Sequence, residues 1–196
     1  MIDAERFLDA SFAASCSAIH RDDGTRQGGC MGRSDGRAAS SRRDGDLDDC
    51  REAALRLLDA APRSSGALRD RLRDKGYEAD VIDDVVTRLV RVGLVDDVEY
   101  ARMLLRHCAA RGLGARGVAA EFSRRRVDRA LGESLIDDAR ENGVFRESAL
   151  RMASAVESRT RGLDQRTRLR RLWAAAGRKG HDSDDVRSAV LTLFGE

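Results

Sequence analysis

From Cys50 to the end of the chain, apolar residues recur at intervals of three and four. That is the period of an amphipathic α-helix, and no alternating run of β-branched residues competes with it. The pattern predicts a helix over 50–61 ended by Pro62, and a second, capped by Ser65, running to Lys75 and closed by Gly76. A third reaches Val92, with Val81, Ile82, Val85, Val86 and Leu89 on its apolar face and Gly93 in a left-handed C-terminal cap. Asp96, Asp128 and Ser183 each stand just before an apolar-periodic stretch, where a side-chain oxygen can cap a helix. Residues 11–49, by contrast, are crowded with Ser, Gly, Arg and Asp and cannot bury enough surface to offset the entropy of ordering. Residues 1–49 are therefore expected to form a mostly disordered extension, with at most a short amphipathic helix through Ala4, Phe7, Leu8 and Phe12.

Shifting the sequence by 50 residues superposes the apolar pattern on itself. Leu68 falls on Val118, Leu72 on Phe122, Tyr77 on Val127, Val81 on Leu131, Val85 on Leu135, Val86 on Ile136, Leu89 on Ala139 and Gly93 on Gly143. With one inserted residue a third copy follows: Leu172, Ala176 and Gly180 match Leu68, Leu72 and Gly76, then Val186, Val190, Leu191 and Phe194 match Val81, Val85, Val86 and Leu89. A lone helical triplet of this size buries too little surface for firm stability, so stacked copies must share their cores. The fold class expected is all-α, three tandem three-helix repeats over 50–93, 94–143 and 144–196 in an elongated, curved array.

Composition narrows the class. Of 196 residues, 36% are charged and one is proline, and no apolar run approaches the roughly 20 residues a membrane span needs. Asp3, Glu5 and Asp9 stand where a secretory leader would be basic and then apolar, so a cytoplasmic protein is expected. Cys16, Cys30, Cys50 and Cys108 are far apart and read as thiols, not as a disulfide framework.

No catalytic constellation emerges. His20, His107 and His181 lack a convincing partner, and Cys16, His20 and Cys30 do not have the paired spacing of a zinc site. Cys50 and Cys108 lie on apolar faces, where a thiol acts as a small hydrophobe. The stretch RGLGARG around Gly112 and Gly114 lacks a phosphate-loop context and reads as a helix connection. Paired acids at Asp83–Asp84, Asp96–Asp97, Asp137–Asp138 and Asp184–Asp185 read as solvated faces and helix N-termini rather than magnesium sites. Neither cofactor nor metal is expected. The aromatics, Trp173 among them, mostly fall at core-like positions, which leaves no base-stacking platform.

Charge distribution is more informative than the balance of 36 basic against 34 acidic residues. Residues 77–99 hold seven acids and two bases, 100–130 eight bases and two acids, and 146–180 ten bases and three acids. Two basic copies thus follow an acidic one, which suits contact with an anionic surface through long-range attraction and arginine forks. On charge alone, the candidate contacts are Arg124, Arg125, Arg126 and Arg129, and Arg166, Arg168, Arg170 and Arg171 on one predicted helix.

These residues carry a family resemblance. The stretch from Ala53 to Leu105 is similar to the opening of the RecX family, bacterial regulators of the RecA recombinase. Its most specific part is the junction Gly93-Leu94-Val95-Asp96-Asp97 followed by Tyr100-Ala101, and the likeness extends from Cys50 to Gly143. Arg126 departs from the pattern, standing where Gly76 ends the equivalent helix, and residues 11–49 lie outside it. The resemblance implies a monomeric, non-enzymatic modulator that lies in the groove of the RecA filament on single-stranded DNA. It would inhibit strand exchange and ATP hydrolysis and so regulate DNA repair, recombination and the SOS response. It supplies no catalytic residues. The alternative is a basic helical module that binds nucleic acid directly, without RecA.

Overall fold

The computed structural model describes residues 36–194, with side chains from residue 46 onward. Among them are nine helices and no strand: α1 (Gly36–Ala60), α2 (Ser65–Asp74), α3 (Ala79–Arg91), α4 (Asp97–Ala110), α5 (Ala115–Arg124), α6 (Arg129–Glu141), α7 (Val144–Arg159), α8 (Gln165–Lys179) and α9 (Ser183–Phe194). They are three tandem three-helix repeats, a fold shared with the solved structures described below. The short helix considered near the N-terminus lies outside the described residues.

One compact unit comprises the described residues up to Pro62 together with Leu72–Val85. Its core is built from Cys50, Ala53, Ala54, Leu72, Val81, Ile82 and Val85, all buried. Tyr77 closes it by donating its hydroxyl to the Asp49 carbonyl at 3.3 Å. The helix α1 starts at Gly36, not at Cys50, so part of the segment expected to be structureless is helical. Residues 37–49 hold no proline, and a helix already fixed by the packed Cys50 turn extends at little cost per residue.

The other unit comprises Arg63–Arg71 and the described residues from Val86 onward. Positions that superpose on the 50-residue shift have matching environments here: Leu68 and Val118 are both fully buried, as are Leu89 and Ala139 to within a few per cent. The turns match as well, with Gly93 and Gly143 at φ of 74° and 73°. Asp96 and Asp128 cap α4 and α6 by accepting from Glu99 N at 2.9 Å and Leu131 N at 3.0 Å. Caps of this kind contribute about 1 kcal/mol each. Two cap assignments shift by one residue. Ser64, not Ser65, accepts from Ala67 N, and α9 begins at Ser183 itself, with Asp182 before it.

Within this unit one contact occurs twice. Ser64 Oγ donates to the Arg125 carbonyl at 2.6 Å and lies 3.2 Å from that of Arg126, while Gly66 sits so close that a Cβ there would stand 2.5 Å from the Arg126 carbonyl oxygen. One repeat later, Gly114 N donates to the Lys179 carbonyl at 3.0 Å, Arg116 N donates to the Gly180 carbonyl at 3.1 Å, and a Cβ on Gly117 would stand 2.4 Å from the Lys179 carbonyl oxygen. Each time, the start of a repeat's second helix meets the left-handed turn that closes the second helix of the next repeat. Gly180 takes that turn at φ 73°, and Arg126 takes it at φ 55°. A left-handed arginine costs about 1–2 kcal/mol, which its ion pair to Asp70 at 2.7 Å partly offsets.

The last repeat packs Ala149, Met152, Ala153, Leu172, Ala176, Val186 and Ala189 into one cluster, flanked by Val190, Leu193 and Phe194. This corrects the register expected in α9. Positions 186, 189, 190 and 193 share one face, whereas Leu191, matched above to the buried Val86, is 59% exposed.

Candidate interaction surface

The helix α8 presents a basic face because its ends and its core side are fixed first. Asp164 accepts from Thr167 N at 2.9 Å, a bond that holds the Asp164 carboxyl below its ordinary range, and Gly180 closes the helix in the left-handed conformation. Leu172 and Ala176 are buried, so the opposite side must face solvent. Arg166, Arg170, Trp173 and Gly177 stand at intervals of four, three and four and therefore share that outer stripe. Arg166, Arg170 and Arg171 are exposed, and none has an ion pair among the described residues.

Arg168 behaves differently. Its guanidinium turns inward, with Nη2 at 3.1 Å from Glu157 Oε1, and lies 4.8 Å from the centre of the Phe194 ring. It ties α7, α8 and α9 together and is only about a quarter exposed. Arg124, Arg125, Arg126 and Arg129 are each matched by a carboxylate. Arg124 and Arg125 share Glu121 at 3.0 Å each, Arg126 pairs with Asp70, and Arg129 Nε donates to Glu133 at 2.7 Å. The structure therefore gathers three of the eight candidate arginines as unpaired charges on one helix and leaves the other five neutralised locally.

Sequence reasoning missed Trp173. It is 42% exposed, outside the core, and flanked on its stripe by Arg170 and Gly177. Its spacing of seven from Arg166 and three from Arg170 was the available signal, since residues so spaced on a helix share a face. An exposed indole in line with unpaired guanidinium groups can stack on flat π systems and attract anions together.

The remaining titratable groups act in packing. His181 is buried, with Nε2 at 2.9 Å from the Gly112 carbonyl oxygen, and burial holds it below the usual imidazole value. Burial pushes the Cys108 thiol up to about 11, and raises that of Cys50 as well, so neither is a nucleophile at neutral pH. Asp97 accepts from both Ser65 N and Ser65 Oγ, at 2.7 and 2.6 Å, while Asp137 and Asp184 pair with Arg140 and Arg187. No group of three or more His, Cys, Asp or Glu suited to a metal ion lies among the described residues; Cys16, His20 and Cys30 fall outside them. No helix among the described residues is long and apolar enough to cross a membrane.

Comparison with known proteins bears on this arrangement. Residues 50–89 match the family described as RecX, first three-helix domain. A regulatory protein RecX of Thermobifida fusca is 36% identical over 138 residues, covering 68% of this chain and 72% of that protein. One from Streptomyces lividans is 34% identical over 140 residues, covering 69% and 72%. The crystal structure of RecX from Lactobacillus salivarius superposes with a TM-score of 0.68 at 19% identity, covering 78% of this chain and 99% of that one. A second crystal structure of a regulatory protein RecX gives 0.67, with coverage of 85% and 81%.

Proposed function

The chain belongs to the RecX family of regulatory proteins, and from that premise we propose that it regulates a RecA recombinase by lying in the groove of the RecA filament on single-stranded DNA. It acts without catalysis and without a cofactor, as a cytoplasmic monomer whose bound form blocks filament growth, ATP hydrolysis and strand exchange. Through that block it modulates recombination, DNA repair and the SOS response. The observation that carries this reading, beside family membership, is the α8 face. Arg166, Arg170 and Arg171 are exposed cations that form no ion pair among the described residues, held on a helix whose ends and core side are fixed. Such charges speed encounter with an anionic partner and set orientation on it. Tandem repeats suit the task, because a chain of similar units can meet successive protomers of a filament.

The test is single-strand-dependent ATP hydrolysis by RecA with this protein titrated in at fixed salt. Inhibition below one molecule per RecA protomer is the expected result. Activity unaltered at excess protein overturns the reading.

A second reading has its own observation. The stripe of Arg166, Arg170 and Trp173 offers stacking and charge together, as direct binders of single strands do. On this reading the chain binds single-stranded nucleic acid without RecA, and affinity falls steeply with salt as counterions compete. Tight, salt-sensitive binding to an oligonucleotide with no effect on RecA selects it.

A further inference from the structure

A groove of about 390 Å³ runs between α7 and α8, beside the outer stripe. Its walls are built on the same spacing from both helices. From α7 come Met152, Ala155, Val156 and Arg159, and from α8 Arg171, Ala174, Ala175 and Arg178, at intervals of three, one and three in each. Met152 is buried at the floor, Val156 and Ala175 are half-buried, and Ala155 and Ala174 are exposed. Alanines at these positions keep the walls low, so another helix can approach closely.

Among the described residues the charged rim is all cationic, Arg159, Arg171, Arg178 and Lys179, with Thr160 at the end of α7 and no carboxylate lining the groove. None of the three arginines has an ion pair among the described residues, and Arg111 and Arg159 crowd Lys179 enough to help lower its pKa, after burial. Lys179 donates to the Arg111 carbonyl, but no carboxylate among the described residues offsets the guanidinium groups around this apolar floor, a cost to the free protein that an anionic ligand relieves. Arg171 and Arg178 are seven residues apart, about 10.5 Å along the helix, which is two turns of a helix lying alongside.

We propose that this groove docks an acidic amphipathic helix of the recombinase, with its apolar face on Met152, Val156 and Ala175 and carboxylates two turns apart on Arg171 and Arg178. The inference rests on the partner named under Proposed function and specifies how that partner is held. A polynucleotide fits the groove less well: among the described residues no aromatic side chain lines it for stacking, and the apolar floor has nothing to offer sugar or phosphate. Helix-in-groove recognition uses both features present, an apolar strip with anchors three and four apart and charges that fix register.

The experiment places a photo-crosslinking residue at Ala155 or Ala174, both exposed, with a control at the exposed Ala120 of α5, and irradiates the full-length protein on RecA filaments assembled on single-stranded DNA. Sedimentation with the filament is measured in the same samples. The expected result is crosslinking from 155 and 174, and not from 120, to a RecA peptide bearing carboxylates about seven residues apart around apolar residues. Arg171→Glu with Arg178→Glu removes these crosslinks and weakens co-sedimentation at least tenfold. Crosslinks to the DNA strand, crosslinks to this chain's own N-terminal residues, or undiminished co-sedimentation without a groove crosslink each overturn the groove assignment while leaving the partner reading intact. Absence of co-sedimentation overturns the partner reading and the groove assignment together.

Discussion

Two arginine-rich stretches look equivalent in the sequence and are not equivalent in the structure. Between Glu121 and Glu133, four arginines sit among carboxylates three or four residues away, and each is neutralised by Glu121, Glu133 or, across the repeat contact, Asp70. Between Gln165 and Lys179 there is no acid in the helix at all, and among the described residues only Arg168 forms an ion pair, reaching back to Glu157 on α7. In the first stretch the Arg126–Asp70 pair joins two repeats, and the other three cations are satisfied within their own repeat. The second leaves Arg166, Arg170 and Arg171 for something else. Counting bases along the chain cannot separate the two, because the separation depends on where the acids are in space.

Reversing the free set should produce the largest effect. Changing Arg166, Arg170 and Arg171 to Glu is expected to weaken inhibition of RecA at least tenfold, about 1.4 kcal/mol of binding. Thermal stability should stay within about 0.5 kcal/mol of the parent, since exposed unpaired residues seldom matter to folding. Titrating both proteins into the RecA assay and melting both by circular dichroism tests this. Unchanged inhibition would mean that α8 is an ordinary solvated face.

Changing the paired set should do the reverse. Glu121, only 13% exposed, holds both Arg124 and Arg125, so Glu121→Gln is expected to cost about 1–2 kcal/mol of stability, read as a lower urea midpoint. Inhibition per folded molecule should be preserved, because no cation on α8 is lost. A stability effect below measurement error would show that the pairing at 121–129 is incidental.

The contrast also marks how far sequence reasoning reached. Periodicity and the 50-residue shift identified the helices, the left-handed turns at Gly76, Gly93 and Gly180 and the buried positions Leu68, Val118, Leu172 and Val186, because burial on one helical face imposes its period directly. The shift failed at Leu191, where one inserted residue left the register of α9 undetermined, and at α1, whose polar start has no periodicity to detect. At the surface, the pairs Arg124–Glu121 and Arg129–Glu133 were visible in the spacing, whereas Arg126–Asp70 and Arg168–Glu157 join elements distant along the chain. Trp173 was missed because an aromatic at helical spacing fits a core as readily as an exposed stripe, and only the burial of Leu172 beside it decides which way the helix turns.

Trp173 then offers a finer test of the free face. It is the single tryptophan of the chain, so intrinsic fluorescence reports on this surface alone. If the second reading holds, single-stranded oligonucleotide without RecA should quench the indole by stacking, and Trp173→Ala should lose about 1–3 kcal/mol of that affinity. If the filament reading holds, oligonucleotide alone should leave the emission nearly unchanged, while RecA filaments alter it. Trp173→Ala should melt within about 0.5 kcal/mol of the parent in either case.

The smallest effect expected is a pH dependence that touches the fold and spares the free charges. His181 follows the turn after α8, and burial lowers its pKa more than its bond to Gly112 and the nearby Asp185 and Asp182 raise it. The folded chain thus binds fewer protons there than the unfolded one, so the stability His181 contributes is fully present above the usual value near 6.5 and is lost as pH falls toward the lower folded value. Urea midpoints from pH 8 down to pH 5 should decline more steeply for the parent than for His181→Gln, which does not titrate. The guanidinium groups of Arg166, Arg170 and Arg171 remain charged throughout this range, so partner affinity per folded molecule should stay flat over the same interval. A fall in affinity that tracks the His181 titration would show that the turn positions α8 for binding, and would join the two roles that the two arginine stretches otherwise keep apart.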